Sequence, residues 1–335
     1  MRLSSHAWNT WLVHPETTKL FWDLLVWWVR AMIRAYLYAL GAVALWSVNF
    51  VIANLASTSM TPIELAFYRW SVALILLIPI SRKALSKLAG TMTKPEIIRL
   101  SVSAAFGISA FNTLIYWAGR YAHSVSLALI AVSSPAFITV INRIFYAVKV
   151  RPITWLGVFF ATLGCALLIL KGNPGALFQL NVSVGDLIML LAAVTFAVYT
   201  VIQKLPHGVT HGEYLFLNIL LGDLFLLPFY VTNTLTVGVP RLDMHVVTYV
   251  LYLGVFASLV AFYLWNACIN AVGSAQTGVV YYVLPVFVFG IDYFWGGARP
   301  NKLMLISFAA ILVGVLIVHF TSTPKNLEKK MTVQD

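Results

Sequence analysis

The chain has 335 residues, of which 61% are apolar and only 10% charged, with a mean hydropathy of +0.88. A soluble domain carries about 25% charged residues, so this composition cannot cover a water-facing surface, and it is too apolar for a disordered chain. The net charge of +11 is no nucleic-acid footprint either, because the basic residues sit in short loops between apolar runs, as a membrane topology signal does.

In chain order, residues 1–34 stand apart, with Trp8, Trp11, Trp22, Trp27 and Trp28. The stretch 17–30 is too interrupted to span a bilayer and lacks the cleavage site of a signal peptide. Tryptophan favours the headgroup region, so the segment reads as an interfacial helix on the cytoplasmic face, with Met32 as an alternative translation start. Ten apolar runs follow, at 35–56, 63–80, 98–118, 123–146, 152–170, 184–203, 213–231, 246–268, 273–296 and 301–320. Each has about the 20 residues that a spanning helix needs. Thr61-Pro62-Ile63-Glu64 and Ser183-Val184-Gly185-Asp186 are helix starts of the capping-box kind, and Pro79 and Pro228 are expected to close spans 2 and 7. A basic tail, 321–335, ends the chain.

Counted on alternate sides of these runs, fourteen Lys and Arg fall on the side of the termini and five on the other. The positive-inside rule therefore expects both termini in the cytoplasm of a multi-pass protein of the plasma (inner) membrane. The two cysteines, Cys165 and Cys268, belong to apolar runs and suggest neither a disulfide framework nor a zinc site. His207 and His211 have the spacing of a metal pair but no third ligand nearby, so no metal and no cofactor is expected.

The sequence repeats itself at an offset of 150. Ser124 and Pro135 match Ser274 and Pro285, Gly164 matches Gly314, Trp46 falls on Phe196 and Asn142 on Asp292. A unit of five spans is odd, so the two copies, 35–172 and 183–320, are expected to enter the membrane with opposite orientation. The expected fold is all-α, with ten transmembrane helices as two inverted-topology five-helix repeats, a design recurrent in secondary transporters.

The segments Ala44-Leu45-Trp46-Ser47-Val48-Asn49-Phe50 and Pro62-Ile63-Glu64-Leu65-Ala66-Phe67-Tyr68-Arg69-Trp70 carry a family resemblance. So do Tyr116-Trp117-Ala118 leading to Ser124 and Pro135, Gly185-Asp186-Leu187, and Pro285. Over residues 35–320 the chain resembles the drug/metabolite transporter superfamily, and within it the EamA-type ten-span exporters. It departs from the family where a Leu-Gly-Glu-like segment is usual, having Ala147-Val148-Lys149-Val150 and Gly296-Gly297-Ala298-Arg299 instead. The resemblance implies export, and a cavity lined by spans 1, 3, 4, 6, 8 and 9.

Within such a cavity the candidate substrate-binding residues are Trp46, Asn49, Arg69, Asn112, Tyr116, Tyr199, Tyr263, Asn266 and Tyr281. Amides recognise amino or carboxyl groups, aromatic rings offer flat apolar walls, and Arg69, two turns inside span 2, would attract a carboxylate. Each residue also has a plain packing reading, and Arg69 would then pair with a carbonyl or with Glu64. Asp292 and Asp223 are candidate proton carriers, since burial disfavours a charged carboxylate. Pro135 and Pro285, symmetrically placed, are candidate hinges.

No nucleotide-binding loop, nucleophile elbow or selectivity filter occurs in the sequence, so the expected activity is not an enzyme's. It is secondary transport of small polar metabolites such as amino acids, proton-coupled or by exchange, with the lipid bilayer and a small molecule as partners, no nucleic acid, and a monomer or homodimer as the working unit. A nucleotide-sugar or sugar-phosphate carrier is the near alternative, though it needs more cavity cations than Arg69 alone. A membrane-embedded lipid-acting enzyme, or a scaffold, is the distant one.

Overall fold

The computed structural model describes residues 15–147, 150–169, 183–296 and 302–321. Most of the expected tail 321–335, the segment 1–14 and the Cys165 side chain lie outside the described residues. All described elements are helical: α1 (Pro15–Leu55), α2 (Pro62–Leu76), α3 (Ile78–Gly90), α4 (Lys94–Ala118) and α5 (Ser124–Tyr146). They continue as α6 (Pro152–Ile169), α7 (Val184–Ile202), α8 (His211–Val237), α9 (Met244–Val272), α10 (Ser274–Phe294) and α11 (Lys302–Thr321). Among the described residues seven helices are long and apolar enough to cross a membrane, or eight when α2 and α3 count as one. The apolar stretches Pro152–Gly164 and Leu305–Gly314, in α6 and α11, are shorter.

Three sequence boundaries move. The expected limit at residue 34 falls inside α1, which is one unbroken helix of 41 residues. The expected span 63–80 stops at Leu76, and α3 leaves it at an angle of 91°. Pro79 explains the break, since its ring removes the donor for Ile75 and disfavours helical geometry at Ile78. Leu77 takes φ −94° and ψ 0° there. Pro228, expected to close span 7, instead sits inside α8, which continues to Val237. The Thr232 hydroxyl donates to the Pro228 carbonyl (2.9 Å) there, and the local helix carries on. Helix starts follow the sequence closely: Thr61 with Glu64, Ser183 with Asp186 and Thr210 with Glu213 form reciprocal capping boxes.

The repeat is visible as geometry. Both α4 and α9 contain a π-helical stretch, at Ala104–Ala110 and Leu253–Val260, about 150 residues apart. Both α5 and α10 are interrupted just before a proline, at Val132–Ser133 and at the 3₁₀ turn Tyr281–Val283. Pro135 leaves the Ala131 carbonyl without its helical donor, and the Ser134 hydroxyl supplies one at 2.7 Å. Packing partners also exchange between halves, since α1 packs on α9 as α7 packs on α4, and α1 on α10 as α7 on α5.

α6 and α11 pair with each other through small residues. A Cβ on Gly164 would stand 2.7 Å from the Ser307 carbonyl oxygen, and one on Gly314 would stand 2.5 Å from the Gly157 carbonyl oxygen. The two backbones are therefore in direct contact at both glycines, as small residues permit. Replacing Gly314 by Ala must push the helices apart, at an expected cost of about 1–3 kcal/mol. Thermal unfolding of the purified protein in detergent should show Gly314→Ala and Gly164→Ala melting earlier than an Ala substitution at lipid-facing Leu312.

Candidate functional site

Arg69 organises the polar interior. It is fully buried in α2, and its guanidinium is held by neutral groups from three other helices. Its Nε donates to Ser258 Oγ of α9 (2.7 Å). Its Nη1 donates to Asn49 Oδ1 of α1 (3.0 Å), to Asn112 Oδ1 of α4 (2.8 Å) and to the Tyr116 hydroxyl. The carbon at the centre of the guanidinium lies 4.8 Å from the Trp70 ring centroid and 5.7 Å from that of Tyr116. Burying a charge without a counter-ion is costly, and several hydrogen bonds plus two aromatic faces offset the lost hydration.

The acceptors are themselves oriented. Asn112 Nδ2 donates to the Gly107 and Ile108 carbonyls (3.1 and 3.4 Å), which turns its oxygen toward Arg69. Those carbonyls belong to the π-helical stretch of α4, where the ordinary i to i+4 ladder is interrupted and acceptors are left over. Trp70 Nε1 uses the Ile108 carbonyl as well (3.0 Å), and in the other half Trp46 Nε1 uses the Ala257 carbonyl of the α9 stretch (2.9 Å). Tyr116 OH donates to Asn49 Oδ1 (2.8 Å), and its counterpart is Tyr199 OH donating to Asn266 Oδ1 (2.9 Å). Position 49 matches 199 and 116 matches 266, so the Asn–Tyr pair recurs with its members exchanged.

Beside this network Trp46 sits among Phe196, Phe262, Trp265 and Tyr281, at centroid distances of 5.6, 5.2, 5.2 and 6.0 Å. All five rings are buried.

A cavity of about 840 Å³ lies between the C-terminal ends of α1 and α10 and the N-terminal ends of α5 and α9. Its polar lining is Asn54, His123, Ser124, Thr248, Tyr249, Tyr252 and Asp292, and its walls are otherwise aliphatic. Tyr252 OH donates to the Leu45 carbonyl (3.0 Å), one residue before Trp46, so a lining side chain reaches the helix beside the aromatic cluster. Ser124 Oγ donates to Asp292 Oδ2 at 2.6 Å across the cavity wall.

At the opposite end of the bundle two of the positions that match the lining, Val201 and Asn142, are buried. Val201 clusters there with Ile138 and Ala197, with Phe137 and Ile141 packed against them. Val201 is 6% exposed there, whereas its counterpart Val51 lines the cavity. Asn142 Nδ2 donates to Ser274 Oγ (3.3 Å) at that end, in positions that match Asp292 and Ser124.

Of the sequence candidates, Asp292 alone lines the cavity. Trp46, Asn49, Arg69, Asn112, Tyr116, Tyr199, Asn266 and Tyr281 are brought together, but as a buried layer. Arg69 therefore neither faces the cavity nor pairs with Glu64, whose Oε1 accepts from Asn233 Nδ2 (3.0 Å). Tyr263 is 45% exposed and stands near His211, with the rings 6.2 Å apart, because a helix turn of 100° separates it from buried Phe262. Asp223 accepts from Ser71 Oγ (3.0 Å) in the seam between α2 and α8, away from the cavity lining. Pro135 and Pro285 are buried at the two helix interruptions. Sequence reasoning missed Asn54, His123, Thr248, Tyr249 and Tyr252 as lining. The polar i, i+3 spacing of Tyr249 and Tyr252 near a span start was the available signal.

The EamA-like transporter family profile matches residues 33–170 and again 183–320. The chain belongs to the EamA-like transporter family. An "Uncharacterized transporter" of Archaeoglobus fulgidus is 24% identical over 276 residues, covering 82% of this chain and 93% of its own. The "Uncharacterized transporter YyaM" of Bacillus subtilis is 24% identical over 85% of this chain and 93% of its own. A "Probable terminal-alkyne amino-acid exporter" of Streptantibioticus cattleyicolor is 22% identical over 67% of this chain and 73% of its own. A solved crystal structure aligns with a TM-score of 0.62 at 19% identity, over 88% of this chain and 98% of that one, which shows the shared fold.

If Arg69 is a tether between helices, a lysine cannot replace it, since one nitrogen cannot reach the four acceptors that Nε and Nη1 serve. Arg69→Lys and Arg69→Leu should both lower the melting temperature by several degrees, Leu the more. A variant that melts normally yet carries no substrate would instead assign Arg69 to the substrate.

Proposed function

We propose that this family member is a secondary active transporter that exports small polar metabolites, amino acids or related compounds, by alternating access driven by protons or by exchange. The observation that carries this reading is the cavity at one end of the bundle, with Val51 in its lining, while the counterpart Val201, 150 residues on, is buried against Ile138 and Ala197 at the opposite end. Two halves that exchange packing partners can exchange these two conditions, opening one end as the other closes. On this reading the ten helical units, with α2 and α3 as one, are inverted repeats that place both termini in the cytoplasm. The excess of Lys and Arg on the side of the termini supports that orientation. The open end then faces outward. The amino-acid substrate class draws on the exporter of Streptantibioticus cattleyicolor.

Counterflow into proteoliposomes tests it, with a panel of radiolabelled amino acids and nucleotide sugars, with and without a proton gradient. Protein-dependent accumulation of an amino acid is the expected outcome, and accumulation of nucleotide sugars alone would overturn it. Orientation has its own measurement. A single cysteine at Val51 should react with a membrane-impermeant maleimide added outside intact cells, and one at Val201 should not. The reverse pattern would invert the topology.

A further inference from the structure

We propose that the cavity recognises an amphiphilic organic cation, a compound with a protonated amine on an apolar body, and that Asp292 is the group that selects it. The inference rests on the transport reading of this cavity and names the substrate class. The walls contributed by Val48, Val51, Ile52 and Leu55 of α1 and by Ile291 of α10 are aliphatic, and Tyr249 and Tyr252 add aromatic faces. A charged ligand leaving water for such walls must meet an opposite charge. Asp292 is the one carboxylate among the lining residues, and no Lys or Arg is among them. Arg69 is fully buried with its hydrogen bonds directed to neutral residues, and Arg120, on the link into α5, reaches the Met60 carbonyl (3.5 Å). The aromatic faces suit an ammonium as well as an apolar body.

The partner of Asp292 sharpens the assignment. Ser124 Oγ donates to Oδ2 at 2.6 Å and holds the carboxylate against the wall between α5 and α10. A ligand ammonium is a stronger donor to a carboxylate than a hydroxyl is, and takes its place without any rearrangement of the backbone. The matching position at the closed end is Asn142, bonded to Ser274. An amide there bonds the matching serine as donor rather than acceptor and carries no charge, so of these two matched positions only Asp292 offers a carboxylate to a cation. A site that binds at one end and lets go at the other needs that difference.

The test uses the purified full chain in lipid nanodiscs, with tritiated phenethylamine as probe and phenylacetate, the carboxylate of the same shape, as competitor. Phenethylamine should bind saturably, with phenylacetate at least about tenfold weaker. Asp292→Asn should abolish that preference and Asp292→Glu should keep it. Where Asp292→Asn fails to fold, Val51→Lys places a cation in the same cavity without touching Asp292 and should abolish amine binding as well. Phenylacetate binding as tightly as the amine, neither ligand binding, or an unchanged preference in Asp292→Asn overturns the inference. Amine binding that persists while counterflow fails for phenethylamine as well as for every amino acid would sink the transport reading and leave the cation site standing.

Discussion

A single guanidinium buried without a counter-ion constrains how four helices meet. Arg69 of α2 takes acceptors from α1, α4 and α9, and Asn49, Asn112 and Tyr116 among them are held by second contacts. The Asn112 amide is fixed by carbonyls that an ordinary α-helix would not offer, so the π-helical stretch of α4 is tied to the arginine. The capping boxes set Thr61 and Glu64 of α2 beside Thr210 and Glu213 of α8 in register, which makes Asn218 the counterpart of Arg69. Asn218 is neutral and bonds Ser103 (3.0 Å), so the cation exists in one half only. The shared fold carries two copies, and the charge distribution carries one.

That division runs through the whole interior. Tertiary contacts, helix interruptions and close glycines obey the repeat, since they answer to backbone geometry and side-chain volume. The capping charges Glu64 and Glu213 obey it too, but two others do not: Arg69 against Asn218, and Asp292 against Asn142. A pseudo-symmetric frame gives two equivalent ends, and the few uncopied charges make those ends chemically different.

How much of this was legible beforehand follows the same division. Apolar run length, caps and prolines gave the helices, because those signals are local. The offset between Ser124 and Ser274, and between Asn142 and Asp292, pointed to pairs that do meet their counterparts in α5 and α10. The break at Leu77 was missed because residues 72–80 are apolar throughout, and only Pro79 marked it. Most candidate binding residues were polar or aromatic groups in the middle of spans. Sequence alone cannot tell a buried hydrogen-bonded layer from a lining one, since both need the same residue types. Tyr263 and Asp223 show the limit, because one helical step or one facing helix decides where such a side chain points. The cavity lining came instead from span ends, where polarity is ordinary and draws no notice.

The seam between α6 and α11 has a consequence for motion. Its backbones touch at Gly164 and Gly314, on opposite sides of one crossing, and neither helix contributes to the cavity lining. Contact runs along the pair from Gly157 to Gly164 against Ser307 to Gly314, and the Thr154 and Thr321 hydroxyls bond at its end, so the two rods travel as one body. Any movement that closes the cavity therefore carries this pair as a unit. Bulk added there would prise it apart without touching a ligand.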